Sequence, residues 1–365
     1  MTIASRFKAE GEVALRAPDA VLARIEAHLA EHGKVTRLRD ACRLDHEFGT
    51  ATALAGPRTL RVSIVSPDPT SLAYLQMGFT SHLREFAPDE AHGIVWSGAN
   101  EAGKRPPYFR EMRVVSARDV TPRMRRVRLA GENLERFTHG GLHVRLLLPP
   151  RRDVAPVWPI LGADGDIAWP DEGERPAMRV YTIRHIDARA GLVDVDFVLH
   201  EGDHMPGAAW AAEASPGDVV GMTGPGGSGV GEADWYLLAG DETALPAIGR
   251  ILEEMPAGRR VVALVDVADA AERQELRTRA DLDLRWLERG GRPAGTTDLL
   301  AEAVRGIELP QGPRVFAWAA CEFEAFKTIR GHFRKSLGLA REDHLAVAYW
   351  RRGAAGDEAR SEARD

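Results

Sequence analysis

Between Glu111 and Pro225, six short runs follow one another: EMRVVSARDV, MRRVRLAG, HVRLLLPP, RVYTIRHI, LVDVDFVLH and GDVVGMTGP. They are separated by Gly/Pro turns and interrupted by one helical stretch, PGAAWAAEA. Many short strands with almost no helix predict an antiparallel barrel. Beyond Asp234 the pattern changes. DWYLLAG precedes the helical ETALPAIGRILEEM, RRVVALVDV precedes ADAAERQELRTRA, and LDLRWLE leads through a loop to TTDLLAEAV. PRVFAWAA then runs into EFEAFKTIRGHFRKSLG and HLAVAYW. Strands alternating with helices predict an α/β part with a parallel sheet, an architecture whose strand ends bind nucleotides.

Two seams divide the chain. SGANEAGKRPP, Ser97–Pro107, combines small residues, mixed charge and a double proline, and GPGGSGVGEAD, Gly224–Asp234, is rich in glycine. Before the first seam, Leu22, Ile25 and Leu29 form an apolar helix face that Asp19 can cap, and a second helix follows Pro69. The expected organisation is a small α+β domain over 1–97, a linker over 98–107, the barrel over 108–230, the α/β part over 231–353 and a disordered polar tail over 354–365. A length of 365 residues fits two or three domains.

Charge and composition exclude several classes. A net charge of −6 provides no basic footprint for nucleic acid, and no apolar run approaches the ~20 residues that span a bilayer. The first residues contain no apolar core of a secretory signal. Cys42 and Cys321 fall in different domains, which excludes a disulfide framework and fits the reducing cytoplasm.

The chemistry-bearing stretches point to a flavin between barrel and α/β part. Alternation puts Arg179 and Tyr181 on one face of RVYTIRHID, so a single ligand can touch both. Arg179 suits a pyrophosphate, Tyr181 the isoalloxazine and the Thr182 hydroxyl a ring nitrogen. Taken alone, Arg-x-Tyr-Thr also describes a barrel strand with a surface arginine and a boundary tyrosine. A helix beginning near Gly207 presents free N–H groups to a phosphate. In LAGDETALPAI, Gly240 permits a turn, and Asp241, Glu242 and Thr243 offer capping and ligand contacts at a strand end. LAGDETALPAI contains no GxGxxG, and Gly224–Gly227 can instead admit a phosphate or adenine, or be a turn. Lys327, Arg330, Arg334 and Lys335 share near-helical spacing, as an anion-attracting face or a solvated surface.

In this order, from Tyr108 to Gly353, the stretches resemble the siderophore-interacting protein family, the flavin-dependent ferric-siderophore reductases. RVYTIRHID, PGAAWA, GDVVGMTGPGG, LAGDETALPAI, LRWLERGG and AYWRRG carry the resemblance. It implies a ferredoxin-reductase-like pair, an FAD-binding barrel and an NAD(P)H-binding α/β domain. Arg179, Val180, Tyr181 and Thr182 then match the flavin motif, with His200, Gly207 and Ala208 near the pyrophosphate and Gly224 and Gly226 at the cleft. Asp241, Glu242 and Thr243 match the block facing the nicotinamide. Pro206-Gly207-Ala208 replaces a common Pro-Ala-Ser, losing a hydroxyl while keeping the backbone N–H groups. Ala320-Cys321-Glu322 replaces a usual Ala-Gly-Glu, making Cys321 a cleft-lining or small core residue.

Residues 1–97 resemble a small domain of unknown function found beside such reductases, on the helix with His28 and His32 and on MGFTSHLREF. His28 and His32, with His82, have a spacing that can bind metal, but no acidic or thiol ligand accompanies them, so surface histidines are the expectation. The resemblance implies electrons passing from NADPH or NADH through FAD to Fe(III) in a siderophore, with a ferredoxin donor also conceivable. Lys327, Arg330, Arg334 and Arg351, with Arg352, are candidates to draw in the anionic chelate. Asp266 at a strand end favours NADH, whereas Arg273 and Arg289 favour NADPH. A flavin reductase with another acceptor, such as a quinone, free flavin or protein, and a non-catalytic siderophore-binding protein are the alternatives.

Overall fold

A computed structural model describes residues 7–29, 33–90, 93–199 and 206–354, which form two compact units. The expectations placed on His32, His200 and most of the tail lie outside the described residues.

The first unit contains β1 (Phe7–Ala14), α1 (Pro18–Leu29), β2 (Lys34–Arg37), β3 (Ala41–His46), β4 (Gly49–Ala55), β5 (Thr59–Ser66), α2 (Pro69–Phe86) and β6 (Val95–Gly98). Its antiparallel sheet runs β2-β3-β4-β5-β1-β6. Period-two alternation explains the sheet: β5 buries Leu60, Val62 and Ile64 and exposes the residues between. Leu22 and Ile25 of α1 and Leu72, Phe79 and Leu83 of α2 complete this core, each worth ~1.5–3 kcal/mol when fully buried. Asp68 caps α2 by accepting from Thr70 N at 2.9 Å and Ser71 N at 3.0 Å.

The second unit begins with β7 (Arg110–Thr121), β8 (Met124–Ala130) and β9 (His143–Leu148). The chain then returns to the first unit for Ala155–Arg175, which carries the two-stranded hairpin β10 (Ile160–Leu161) and β11 (Ile167–Ala168). Back in the second unit come β12 (Ala177–Asp187), β13 (Leu192–Val198), α3 (Pro206–Glu213) and β14 (Val219–Gly226). The six expected strands close into an antiparallel barrel, β12-β13-β8-β7-β14-β9. Its interior holds Val127, Leu129, Val144, Leu146, Ile183, Val193, Val195, Phe197 and Met222. Arg126 and Arg128 on β8 form bidentate pairs with Asp196 and Asp194 on β13, at 2.6–2.8 Å.

The α/β part comprises β15 (Trp235–Gly240), α4 (Leu245–Glu254), β16 (Arg260–Val267), β17 (Asp281–Glu288), α5 (Leu299–Arg305), β18 (Val315–Glu322), α6 (Phe323–Gly331) and β19 (His344–Trp350). The sheet is wholly parallel, ordered β17-β16-β15-β18-β19, so the order reverses between β15 and β18.

One expected helix is absent. ADAAERQELRTRA forms only a 3-10 turn at Ala270–Glu272. Its Glu272 side chain is drawn instead to the β7–β8 turn, where it accepts from Thr121 Oγ1 at 2.5 Å and Arg123 N at 3.0 Å. A buried carboxylate with two such donors outweighs the modest helical propensity of the segment. The barrel is joined again to the α/β part where Arg184 of β12 donates to both oxygens of Glu253 on α4 at 2.7 and 2.8 Å. Hydrogen bonds from Arg184 hold the Glu253 carboxyl below its usual range.

Candidate active site

Strand register decides which side chains of RVYT share a face. Arg179 lies opposite Leu146 and Tyr181 opposite Val144, both barrel-core residues, whereas Val180 lies opposite Arg145 and Thr182 opposite His143. Arg179 and Tyr181 therefore share the inward face, as alternation requires, and Val180 and Thr182 the outward one. The Tyr181 ring packs on Phe197 with centroids 4.3 Å apart. Its phenol sits over the first turn of α3: a β-carbon at Gly207 would come within 1.7 Å of Tyr181 Oη. Burial pushes the phenol pKa above its ordinary value, with Arg179 acting the other way. Thr182 and Ala208 are buried.

The outward face forms one wall of a cavity of about 410 Å³ within the second unit, a size typical of ligand sites. His143, Arg145, Val180, Gly224, Gly226 and Ser228 line it from the barrel side, facing Trp318, Phe326 and residues 345–349 of the α/β part. His143 Nε2 and Tyr349 Oη hydrogen-bond across it at 2.7 Å. Gly227, at φ +77°, makes room for this bridge, since a β-carbon there would lie 2.3 Å from His143 Nδ1. Of the residues singled out in the sequence, Val180, Gly224 and Gly226 line the cavity. Arg179, Tyr181, Thr182, Gly207 and Ala208 do not.

The donor set suits a flat ligand that carries negative charge. Arg145 is exposed on the cavity wall, and Arg179 donates to Met178 O at 2.7 Å. Among the described residues neither guanidinium joins an ion pair, so both retain capacity for phosphate oxygens. Apolar and aromatic walls of the cavity suit a planar ring.

The carboxyl ends of the parallel strands hold a different arrangement. Asp241 accepts from Thr243 N at 2.9 Å, Thr243 Oγ1 at 2.5 Å, Trp350 Nε1 at 2.8 Å and Glu322 N at 3.0 Å. Arg289 donates to Asp266 at 2.7 Å and grips both oxygens of Glu242. Glu322 accepts from Glu324 N at 2.6 Å and Arg352 N at 3.2 Å. All four acids and Arg289 are buried. Burial, then the neighbouring Glu242 charge, pushes Asp241 up to about 6. Burial also pushes Asp266 up to about 6 against the pull of Arg289. The acids expected to meet a nucleotide, Asp241, Glu242 and Asp266, are thus bonded to their own neighbours. Arg289 is committed to the same cluster, and Arg273 pairs with Glu288 at 2.5 Å. Cys321 belongs to the apolar core beside Phe323 and Ala319, and burial, then Asp241, drives its thiol pKa well up.

The basic stretch lies beside the cavity wall. Arg330 stands over the ring of Phe326, which lines the cavity, with its guanidinium carbon 5.6 Å from the centroid. Arg351 stands 4.6 Å over Phe323, Lys327 pairs with Glu324 at 3.1 Å, and Arg334 Nε donates to His344 Nε2 at 3.3 Å. In the first unit, the His28 and His82 rings pack at 4.4 Å, tilted by 59°, and no cluster of three metal-ligating side chains occurs among the described residues.

His143, Arg145, Ser228, Trp318, Phe326 and Tyr349 were not singled out from the sequence. The signal for two of them was present, because His143 and Arg145 alternate with the buried Val144, Leu146 and Leu148 of β9.

Comparison with known proteins agrees with this arrangement. The siderophore-interacting FAD-binding domain matches residues 113–229 and the siderophore-interacting protein domain residues 233–353. An uncharacterized domain conserved in bacteria, DUF2218, matches residues 10–97. Ferric vibriobactin reductase ViuB of Vibrio cholerae is 33% identical over 251 residues, covering 67% of this chain and 90% of that protein. The NADPH-dependent ferric-chelate reductase of Escherichia coli is 36% identical over 249 residues, covering 66% of this chain and 92% of that protein. The crystal structure of a siderophore utilization protein from T. fusca is 40% identical and superposes with a TM-score of 0.60, covering 70% of this chain and 97% of that one. The chain belongs to the siderophore-interacting protein family.

Proposed function

We propose that the protein is an FAD-dependent ferric-siderophore reductase that takes electrons from NADPH or NADH and delivers them to siderophore-bound Fe(III). The observation that carries the reading is the cavity between the outward face of β9, β12 and β14 and the strands β18 and β19, lined by Arg145, whose guanidinium has no carboxylate partner among the described residues. The reductase names of the Vibrio and Escherichia relatives support it.

In this reading the barrel, 108–230, holds the flavin and the α/β part, 231–353, receives the nucleotide. Arg179 and the backbone N–H groups of Gly207 and Ala208 bind the diphosphate, and Val180, Thr182, Gly224 and Gly226 surround the ring. Tyr181 buttresses the start of α3. Bound there, FAD supplies the conversion between a two-electron hydride donor and a one-electron ferric acceptor. Asp241, Glu242, Thr243, Cys321 and Glu322 shape the strand ends that the nicotinamide approaches, and their internal bonds keep those ends rigid. Trp318 and Tyr349 exclude water from the opposite wall. Lys327, Arg330, Arg334 and Arg351 attract the anionic iron chelate. Reduction releases the metal because hard oxygen donors hold Fe(III) more tightly than Fe(II).

No helix among the described residues is long and apolar enough to cross a membrane. Cys42 and Cys321 are both free and buried, which supports a place in the reducing cytoplasm.

An anaerobic visible spectrum of the FAD-loaded protein tests the reading. NADPH or NADH should bleach the flavin band, and a ferric siderophore should restore it. A protein that retains no flavin when FAD is supplied would overturn the proposal.

A further inference from the structure

Residues 149–176 leave the barrel after β9 and rejoin it at β12, where Ala177 pairs with Leu148. So long an excursion needs a fold or a function of its own. Its middle, Ala155–Arg175, folds with the N-terminal unit. There the turn Ala163-Asp164-Gly165-Asp166 meets three side chains. Arg84 of α2 donates to the carboxylates of both Asp164 and Asp166. Thr80 Oγ1 donates to Asp164 O at 2.7 Å, and Trp96 Nε1 donates to Thr80 Oγ1 at 3.1 Å. Trp96 N donates to Ala163 O at 2.9 Å. The fit also uses shape: Gly165 has φ +77°, and a β-carbon there would lie 2.8 Å from Trp96 Cδ1. Lower on the hairpin, Leu161 exchanges backbone hydrogen bonds of 2.8 Å with Lys104 and Gly103. Charge, backbone and shape are all matched, as at a recognition surface.

The place of the hairpin in the chain gives this docking a consequence. Among the described residues, 177–182 of β12 pair with β9 alone, and pairing with β13 begins at Ile183. The segment that carries Arg179 is therefore laddered on one side, and such segments open more readily than those held on both. The excursion that carries the hairpin ends immediately before it.

We propose that the N-terminal unit is a docking module for the acidic Asp-Gly-Asp turn, and that the docked hairpin holds residues 177–182 in place for ligand binding. The second clause rests on the flavin reading given above. Docking removes conformational freedom from the excursion, which would otherwise pull on the first residues of β12 as a free loop.

The test uses the full chain with Arg84→Gln and, separately, the double variant Asp164→Asn/Asp166→Asn. The two remove the same ion pairs from opposite sides, so that a folding defect peculiar to one leaves the other informative. Hydrogen exchange is followed without FAD in peptides covering 155–175 and 177–182, and the FAD dissociation constant is measured by fluorescence quenching. Both segments should exchange faster while β15 and β18 stay unchanged, and the constant should rise about tenfold, within the range of coupled sites. Unchanged exchange in 155–175 would overturn the docking. Faster exchange there, with 177–182 and the FAD constant both unchanged, would overturn the coupling. Faster exchange in both segments of a protein whose wild type binds no FAD would support the docking and sink the flavin reading instead.

Discussion

Two polar regions of the second unit use their charges in opposite ways. At the carboxyl ends of the parallel strands, Asp241, Glu242, Asp266, Glu322 and Arg289 are buried and bonded to one another or to nearby backbone. On the barrel, Arg145 and Arg179 have no ion-pair partner among the described residues. Both regions stand where a ligand was expected from the sequence. The first has its hydrogen-bonding capacity filled by the fold, and the second keeps capacity open. Burial of a charge demands a partner, so filled networks mark structure, whereas open donors beside a cavity mark a place for something else to bind.

Removing Arg289 should break the contrast most severely. Arg289→Ala leaves Glu242 and Asp266 buried without their cation, and urea unfolding should show a loss of about 3–5 kcal/mol. A loss below about 1 kcal/mol would mean that the acid cluster is not the structural network described.

The acid cluster also sets a pH dependence. The Asp241 carboxyl, which ordinarily titrates near 3.8, is pushed up to about 6 in the fold. The folded state holds this proton more tightly than the unfolded one. The resulting stabilisation is therefore complete below about pH 4 and is lost as pH rises through about 6, by up to ~3 kcal/mol. Asp266, also raised to about 6, works in the same direction. Urea midpoints measured from pH 4 to 7 should fall, and less steeply in Asp241→Asn. An identical slope in the variant would remove Asp241 as a source.

Arg179 sharpens the other side of the comparison. Arg179→Ala should change stability of the FAD-free protein by no more than about 0.5 kcal/mol. It should weaken FAD binding by about 1.5–3 kcal/mol, roughly ten- to a hundredfold. Equal affinity in fluorescence titrations of variant and wild type would place the diphosphate elsewhere. The smallest effect is expected at the bridge across the cavity. Tyr349→Phe removes the hydroxyl facing His143, and thermal unfolding should register about 0.5–1.5 kcal/mol. A loss confined to the FAD-loaded protein would assign the hydroxyl to the ligand instead of the bridge.

Legibility in the sequence followed the range of the forces involved. All six barrel strands and the helices after β15 and β18 were expected, because hydrophobic period and turn residues are local signals. The stretch after Asp266 was expected to be helical, and failed to be so because Glu272 finds its donors in the β7–β8 turn, remote in sequence. Around the site, RVYT was legible as a motif, and so was the shared face of Arg179 and Tyr181, but not that this face turns into the barrel. The cavity wall formed by Val180, Arg145 and His143 depends on which residue of β9 stands opposite which residue of β12. Asp266 and Arg289 looked like competing selectors of a nucleotide, and they turn out to neutralise each other.

By itself the sequence determined the kinds of secondary structure, their order, the resemblance to a reductase family and the residue types available for binding. Those properties rest on contacts between near neighbours and on side-chain chemistry. Only the tertiary structure decided which charges are filled and which stay open, and that Ala155–Arg175 joins the first unit instead of the barrel. Those outcomes depend on partners far apart in the chain, such as Arg84 with Asp164 and Glu242 with Arg289, and no local pattern encodes a partner that only folding brings near.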